Sequence, residues 1–240
     1  FKESPSLEPL CTAMITPPLP LSAWSKHPEN RCAADEIPAY WNTYDVLTFL
    51  ADVGMYEVSL CTCLDDGEKE RVLRFTSDYF KKRFVVSRSL LKSVLRYIPG
   101  TGSQDAIVIS REKKGIVVLA RPDLFFSLSY SGSYVALSVG KQKIGNDIEM
   151  IRADGIRKIR SSPLFDRSKC RNKKDESLHG LHIWTLVEAY AKLRTQNPYP
   201  LVNNSSLCHD AGFVSYCILT AAFYFCILIK GIPKSREFKK

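Results

Sequence analysis

The chain has 240 residues, 45% apolar and 25% charged, which excludes a disordered chain and one embedded wholly in a membrane. Its 12 Gly and 13 Pro exclude collagen and flexible-linker polymers. The 34 basic and 25 acidic residues leave a net charge of +9, which predicts affinity for an anion: nucleic acid, a phosphorylated small molecule, an acidic membrane surface or an acidic protein.

The eight cysteines are scattered along the chain without the compact spacing of a disulfide framework. Cys61 and Cys63 have no second Cys or His pair at the spacing of a zinc site. The chain begins with Phe1, as a processed or trimmed product would, and its first residues do not have the pattern of a secretory signal. We therefore expect structural thiols, rather than disulfides or metal ligands, in a cytoplasmic protein.

The first half of the chain contains one strongly predicted helix. Residues 1–40 are rich in Pro and favour an extended arm, and residues 56–63 alternate as a strand does. A turn and a short helix that starts near Asp66 follow. Residues 77–97 then predict a long amphipathic helix, with Ser77 as its N-cap and Pro99-Gly100 as its stop. Its predicted apolar stripe is Phe80, Phe84, Leu91 and Leu95.

The second half is predicted to be mostly strands, with one further helix. The predicted strands are 106–109, 115–120, two within 124–139 around Ser131-Gly132-Ser133, and 143–151. Residues 152–180 favour partial helix and mobile loop, and residues 182–193 predict an amphipathic helix.

Residues 211–229 carry no charge and are long enough to span a bilayer as a helix. They are rich in Val, Ile, Phe, Tyr and Thr, however, and Ala221-Ala222 can mark a bend. We therefore favour two buried strands, and we expect no membrane span.

This order of elements predicts an α+β fold with two similar α/β halves. The expected organisation is an N-terminal arm (1–40), an N-terminal half with a basic helix (41–123) and a C-terminal half (124–240).

The segment Ile144–Met150, IGNDIEM, carries two carboxylates at spacing i, i+2. On a strand, Asp147 and Glu149 project from the same face, where like charges repel unless a cation lies between them. Oxygen ligands of this kind suit Mg²⁺. Taken alone, the pair is also typical of a solvated strand.

Glu188 and Lys192, in the segment WTLVEAYAKL, lie at i, i+4 and so share a face of the predicted helix. The simpler interpretation is a surface ion pair. The functional interpretation adds a third carboxylate for the metal and an ammonium group for a phosphate oxygen.

These motifs together resemble the Sfp-type 4′-phosphopantetheinyl transferases. The resemblance rests on FSLSYSGSYVALSVGKQKIGNDIEMIR followed by WTLVEAYAK, and on LDDGEKERVLRF followed by KKRFVVSRSLLKSVLRY; it covers about residues 56–230. It implies a pseudo-dimeric fold of two halves with the active site at their interface. The implied activity is Mg²⁺-dependent transfer of phosphopantetheine from coenzyme A to a serine of an apo acyl or peptidyl carrier protein, the holo-acyl-carrier-protein synthase reaction. We expect the enzyme to be a monomer.

The resemblance also implies roles for individual residues. Asp147, Glu149 and Glu188 match the Mg²⁺ ligands, with Glu188 also a candidate acceptor for the serine proton. Lys192 matches a lysine that contacts the diphosphate and is a candidate proton donor to the leaving group. The nucleotide-binding candidates are Arg88 and Ser129 on the phosphate side, together with Lys69 and Arg71 as further basic contacts.

The chain departs from the family pattern at four places, one of which is the acidic residue of a Phe-x-x-x-Glu segment, which is not evident between the two metal motifs. Tyr130 stands where the family has His, and a phenol cannot carry positive charge to a phosphate. Val187 stands where a Lys usually precedes the catalytic Glu. The Gly-Lys-Pro of the adenine pocket has no clear counterpart: either Gly115-Ile116-Val117 or Arg121-Pro122 occupies that register, and we favour Arg121.

Two alternatives remain at this stage. The departures at Tyr130 and Val187 are also compatible with a degenerate relative that binds coenzyme A or a carrier domain without turnover. The charge of +9 and the basic segment 81–96 are compatible with a nucleic-acid-binding protein, which we disfavour.

Overall fold

The structure, a computed structural model, describes residues 10–13, 34–56, 64–100, 109–112, 115–118, 123–151, 157–196, 198–203, 213–219 and 223–230. The chain divides into two compact units, residues 1–141 and 142–240. Both units combine helices with strands. The similarity of two halves in a pseudo-dimer stays a prediction.

Unit 1 contains a four-stranded sheet in the order β1-β2-β6-β5. Its strands are β1 (Leu10–Ala13), β2 (Val46–Asp52), β5 (Phe125–Ser131) and β6 (Tyr134–Gly140). Strand β1 pairs with β2 in parallel, and the other pairs are antiparallel. A separate two-stranded ribbon consists of β3 (Ile109–Glu112) and β4 (Gly115–Val118).

The turn between β5 and β6 depends on a glycine. Ser131 pairs with Tyr134, so the loop has only two residues, Gly132 and Ser133. Gly132 has φ 53°, the left-handed region that a type II′ hairpin turn requires at its first central position. The pattern Ser-Gly-Ser therefore produces the predicted hairpin.

The part of unit 1 that the structure describes also contains three α-helices: α1 (Ile37–Thr43), α2 (Asp66–Leu73) and α3 (Asp78–Tyr97). Every residue of α3 from Val85 to Leu95 is buried, and its apolar members join a core with β2 and β6. Burial of one apolar side chain of this size stabilises the fold by about 1.5–3 kcal/mol, so packing rather than the cap holds α3 in place. Ser77 is indeed the N-cap residue, although its side chain makes no capping hydrogen bond.

Unit 2 contains a three-stranded antiparallel sheet in the order β7-β9-β8, together with two helices. The elements are β7 (Ile144–Met150), α4 (Lys173–Arg194), α5 (Pro198–Leu201), β8 (Phe213–Leu219) and β9 (Phe223–Lys230). Helix α4 lies directly on β7. A Cβ added to Gly145 would come within 1.9 Å of the carbonyl oxygen of Ala189, so only glycine permits this close approach.

Several sequence predictions are confirmed. The short helix from Asp66, the long helix α3, the hairpin within 124–139 and strand β7 all form where they were expected. Residues 211–229 contain β8 and the greater part of β9, so the interpretation as strands is correct. No helix in the described part of the chain is both long and apolar enough to cross a membrane.

Other predictions differ from the structure. The units divide after Lys141 rather than after residue 123, because the β5–β6 hairpin pairs with β2 and so belongs to unit 1. Helix α4 begins at Lys173, since Asn172 caps it, and not at residue 182. The 1–40 arm includes strand β1, and the predicted strand 56–63 lies outside the described residues except for Tyr56.

The predicted apolar stripe of α3 is only partly correct. Leu91 and Leu95 are fully buried, but Phe80 is 46% exposed, because the first turns of α3 extend beyond the core.

Candidate functional site

The two carboxylates of β7 face helix α4. Asp147 and Glu149 lie on the same side of the strand as Gly145, which α4 approaches closely. Asp147 is opposite Cys226 of β9 and is buried, whereas Glu149 is opposite Tyr224 and half-buried. The i, i+2 spacing therefore directs both side chains toward the helix and not to bulk water.

Helix α4 brings an ammonium group to these acids. Lys192 Nζ lies 2.7 Å from Asp147 Oδ1 and 3.1 Å from the carbonyl oxygen of Asn146. One turn before Glu188, the indole nitrogen of Trp184 donates to Glu149 Oε1 over 3.2 Å. The sequence prediction that Lys192 serves this site is compatible with that position, although its partner here is Asp147 rather than a ligand.

Glu188 completes the carboxylate cluster, which we define as Asp147, Glu149, Glu188 and Lys192. Burial raises the pKa of Glu188, the negative charge of Asp147 raises it further, and Glu149 adds a smaller effect in the same direction. Lys192 opposes these effects, but the pKa of Glu188 remains above its ordinary value. As defined, the cluster has three carboxylates and one ammonium group, a composition that favours the binding of a cation.

We tested whether these residues fit the expected magnesium ion. The donor atoms are carboxylate oxygens, which Mg²⁺ prefers, and the excess negative charge suits a divalent cation. In the described part of the chain, however, no three His, Cys, Asp or Glu side chains form a group that could hold a metal ion. Lys192 and Trp184 instead satisfy oxygens of Asp147 and Glu149. The chemistry fits, and the magnesium set stays a prediction.

Arg88, the nucleotide-binding candidate of unit 1, is buried between α2 and α3. Its Nε lies 3.5 Å from Glu68 Oε1, and its carbon Cζ lies 5.3 Å from the centre of the Phe84 ring. Within the described residues, neither Nε nor Nη1 of Arg88 has a hydrogen-bond partner. Burial of a guanidinium group whose N–H donors lack partners costs free energy. Hydrogen bonds from these donors to an anion such as phosphate would reduce that cost.

Arg88 belongs to an acid–base cluster, which we define as Asp65, Glu68, Arg88 and Lys92. Lys92 Nζ lies 2.6 Å from Glu68 Oε2 and 3.0 Å from Asp65 Oδ2. Asp65 and Glu68 also form a capping box at the start of α2, in which each side chain accepts from the other residue's backbone N–H. One pair of residues therefore both starts α2 and anchors it to α3.

The pKa of Asp65 is displaced downward. Burial would raise this pKa, but the hydrogen bond from the backbone N–H of Glu68 and the ammonium group of Lys92 together outweigh that effect. The acid–base cluster has two acids and two bases, so its charges balance within the fold.

The two other basic candidates on α2 occupy different positions. Lys69 is exposed and pairs with Asp66 at 2.7 Å, which raises the pKa of Lys69 chiefly through that hydrogen bond. The guanidinium carbon of Arg71 lies 5.0 Å from the centre of the Phe84 ring, on the ring that Arg88 also contacts. Arg71 also lines an open groove with Gly67, Arg74 and Phe75. Arg71 and Arg88 therefore contact the same aromatic ring, whereas Lys69 is an exposed residue that pairs with Asp66.

Ser129 and Tyr130 are consecutive on β5 and differ in exposure. Ser129 is buried, whereas Tyr130 is 37% exposed and its ring lies 5.0 Å from the guanidinium carbon of Arg83. The predicted phosphate contact of Ser129 would thus be made from a buried hydroxyl group. Arg121 lies outside the described residues.

Val187, one of the departures from the family pattern, is a core residue. It is 1% exposed and packs in an apolar cluster with Ile159, Ile183 and Val202. A charged side chain at this position would be buried without a partner, so Val187 is part of the packing of α4 and not of the carboxylate cluster.

Sequence reasoning missed Asp65, Glu68, Lys92 and Arg83. A signal for the first three was present, because Asp-x-x-Glu before a helix is a capping-box pattern and Arg88 and Lys92 lie at i, i+4. Nothing in the spacing of Arg83 distinguishes it from the solvated lysines beside it.

No family model matches the chain, and no curated protein matches it in sequence.

Proposed function

We propose that this chain transfers the 4′-phosphopantetheine arm of coenzyme A to a serine of an apo acyl or peptidyl carrier protein, in a reaction that requires Mg²⁺. The observation that carries the proposal is the carboxylate cluster. Two acids from β7 lie near a third acid and an ammonium group from α4, in a half-buried setting. The order of the motifs that supply these residues supports the same assignment.

The proposed reaction is a displacement at phosphorus. The carrier serine oxygen attacks the phosphorus that bears the pantetheine arm, and the bond from that phosphorus to the departing oxygen of adenosine 3′,5′-bisphosphate breaks. Glu188 accepts the serine proton, directly or through a water molecule. Lys192 stabilises the negative charge that grows on the departing phosphate. A bound Mg²⁺ would neutralise charge on the diphosphate, with Asp147, Glu149 and Glu188 as its ligands.

Unit 1 contributes basic residues to this proposal. Arg88 has two buried nitrogen atoms without hydrogen-bond partners among the described residues. The guanidinium group of Arg71 contacts the Phe84 ring, as that of Arg88 does. Guanidinium groups bind phosphate through paired hydrogen bonds, which suits the phosphate-rich nucleotide of coenzyme A. The charge of +9 also favours encounter with an acidic carrier protein.

Mass spectrometry of an apo carrier protein tests the proposal. The protein is incubated with carrier, coenzyme A and Mg²⁺, and we expect the carrier to gain the mass of one phosphopantetheine. Asp147→Asn and Glu188→Gln should each abolish the gain, whereas Glu70→Gln should leave it intact, because Glu70 is exposed and pairs only with Arg74 on the surface of α2. No gain at high enzyme concentration across a set of carriers would overturn the catalytic assignment.

A second candidate is a protein that binds coenzyme A without turnover. The observation that favours it is the occupation of Asp147 by Lys192, together with the lack of a ready three-ligand metal group in the described residues. Calorimetry with coenzyme A, combined with mass spectrometry of the carrier, distinguishes the two candidates. Binding of coenzyme A without a mass gain in any carrier would identify the non-catalytic relative.

A further inference from the structure

Arg83 lies at the centre of an exposed aromatic patch on unit 1. Its guanidinium carbon is 5.0 Å from the ring centres of Phe80 and Tyr130 and 5.5 Å from that of Tyr79. These three rings are three of the five large apolar or aromatic side chains that are exposed in the described part of the chain. Three of the exposed aromatic side chains in the described part of the chain therefore lie around one guanidinium group.

The patch is tied together by the fold of unit 1. The hydroxyl group of Tyr79, in the first turn of α3, donates to the carbonyl oxygen of Gly132 in the β5–β6 turn. The hairpin thereby holds Tyr130 next to the first turns of α3. Contacts with three rings fix the plane of the Arg83 guanidinium group, which lowers the conformational entropy lost when it binds an anion.

Within the described residues, the side chain of Arg83 makes neither an ion pair nor a hydrogen bond, whereas those of its two basic neighbours do. Lys81 pairs with Asp78 at 3.2 Å, and Lys82 donates to the carbonyl oxygen of Gly54. The contacts of Arg83 are with ring faces, which leaves its N–H donors available at the edges of the guanidinium plane. A phosphate group binds such an edge through paired hydrogen bonds.

We propose that Arg83, oriented by Tyr79, Phe80 and Tyr130, binds a phosphate of a nucleotide while the exposed rings contact its planar base. The proposal rests on the proposed function, in which the nucleotide is the adenosine 3′,5′-bisphosphate part of coenzyme A. The composition of the patch favours this class of ligand, because it combines exposed aromatic side chains with a guanidinium group that has no carboxylate partner among the described residues. Arg83 then supplies beside Tyr130 the positive charge that a phenol cannot carry.

Calorimetry with adenosine 3′,5′-bisphosphate tests the inference without any requirement for turnover. We expect Arg83→Gln to weaken binding at least about tenfold, as the loss of a charged hydrogen-bonding group does. Arg83→Lys should recover only part of the affinity, because an ammonium group keeps the charge but neither stacks on rings nor donates as a fork. Lys81→Gln is the matched control, with affinity within about twofold of the unmodified protein. Thermal melting of each variant verifies that it is folded.

The outcomes separate the inference from the proposed function. Equal affinity of Arg83→Gln and the unmodified protein overturns the inference, and the mass gain of the carrier protein still decides the function. A protein that transfers phosphopantetheine but shows no effect of Arg83 on nucleotide affinity keeps the function and loses the inference. If the nucleotide does not bind but a single-stranded oligonucleotide binds in a salt-sensitive manner that requires Arg83, the patch serves nucleic acid, and the inference is overturned.

Discussion

The acid–base cluster of unit 1 and the carboxylate cluster of unit 2 are built from similar residues but differ in charge balance. In the first, Lys92 and Arg88 meet Glu68 and Asp65, and each charge has an opposite charge within the fold. In the second, the four residues as defined are three acids and one ammonium group, that of Lys192. The first cluster balances its own charges, although Nε and Nη1 of Arg88 have no hydrogen-bond partner among the described residues, whereas the second contains more acids than bases and so favours a cation.

The pKa displacements express the same contrast. The pKa of Asp65 falls because a backbone N–H and Lys92 outweigh burial, so its ionised form is favoured in the fold. The pKa of Glu188 rises because burial and Asp147 together outweigh Lys192, so its ionised form is disfavoured. The first arrangement stabilises the protein at neutral pH, and the second costs stability that a bound cation can restore.

Removal of the central acid of the acid–base cluster should give the largest effect. Glu68→Gln keeps a side chain that can accept in the capping box but leaves Arg88 and Lys92 buried with too little negative charge. We expect the free energy of unfolding to fall by about 3–5 kcal/mol, measured by chemical denaturation. Glu70→Gln, on the exposed face of the same helix, should change it by less than about 0.5 kcal/mol. Equal effects of the two substitutions would contradict the account of this cluster.

Displacement of α4 from β7 should give the next largest effect, because it separates the residues of the carboxylate cluster. A Cβ at position 145 would meet the backbone of Ala189 and Leu193 at 1.9 and 2.7 Å, so Gly145→Ala forces the helix away. We expect a loss of roughly 2–3 kcal/mol in the free energy of unfolding, together with loss of carrier modification. Gly67→Ala is the control, since a Cβ there meets only an ordinary contact at 3.5 Å. Normal stability and activity of Gly145→Ala would show that α4 does not depend on this close approach.

Removal of the Lys192 ammonium group from the carboxylate cluster tests the difference in charge between the two clusters. Lys192→Gln leaves Asp147 buried beside two further acids, and we expect the free energy of unfolding to fall by about 1–2 kcal/mol without metal. Millimolar Mg²⁺ should restore more stability to this variant than to the unmodified protein, because the uncompensated charge is greater. In the same denaturation experiment, Mg²⁺ should stabilise Glu68→Gln no more than it stabilises the unmodified protein. An equal additional gain in both variants would contradict the distinction between the clusters.

The smallest effect concerns the pH dependence of unit 1. Because the pKa of Asp65 is lowered in the fold from its ordinary 3.8, its contribution is present above that value and is lost as the pH falls through the depressed pKa. Asp65→Asn retains an N-cap side chain, and it should lose less stability than the unmodified protein between pH 5 and pH 3 (about two pH units). Thermal melting over this range measures the difference, and parallel curves would show that the charge of Asp65 contributes nothing.

Local patterns predicted most of the elements that position the two clusters. The i, i+2 acids of β7, the i, i+4 pair of α4 and the Ser-Gly-Ser turn each encode geometry within a few residues, so the strand, the helix and the turn that they predict are present, while the metal site stays a prediction. The nature of residues 211–229 was also decided locally, by their β-branched and aromatic side chains.

Properties that depend on distant residues were not predictable in this way. The division after Lys141 follows from the pairing of β6 with β2, about ninety positions earlier, as in the contact between Thr48 and Ser138. The pairing of Lys92 with Glu68 and the stacking of Arg83 on Tyr130 likewise join segments whose separation in sequence carries no periodic signal. Burial of Arg88 was missed because a basic helix face is usually solvated.

Calorimetric titration of the protein with Mg²⁺ tests most directly the claim that the carboxylate cluster lacks one cation. We expect the unmodified protein to bind one Mg²⁺, and we expect Asp147→Asn and Glu188→Gln to lose that binding while Glu70→Gln retains it. Absence of binding in the unmodified protein, or equal binding in all four proteins, would contradict the account.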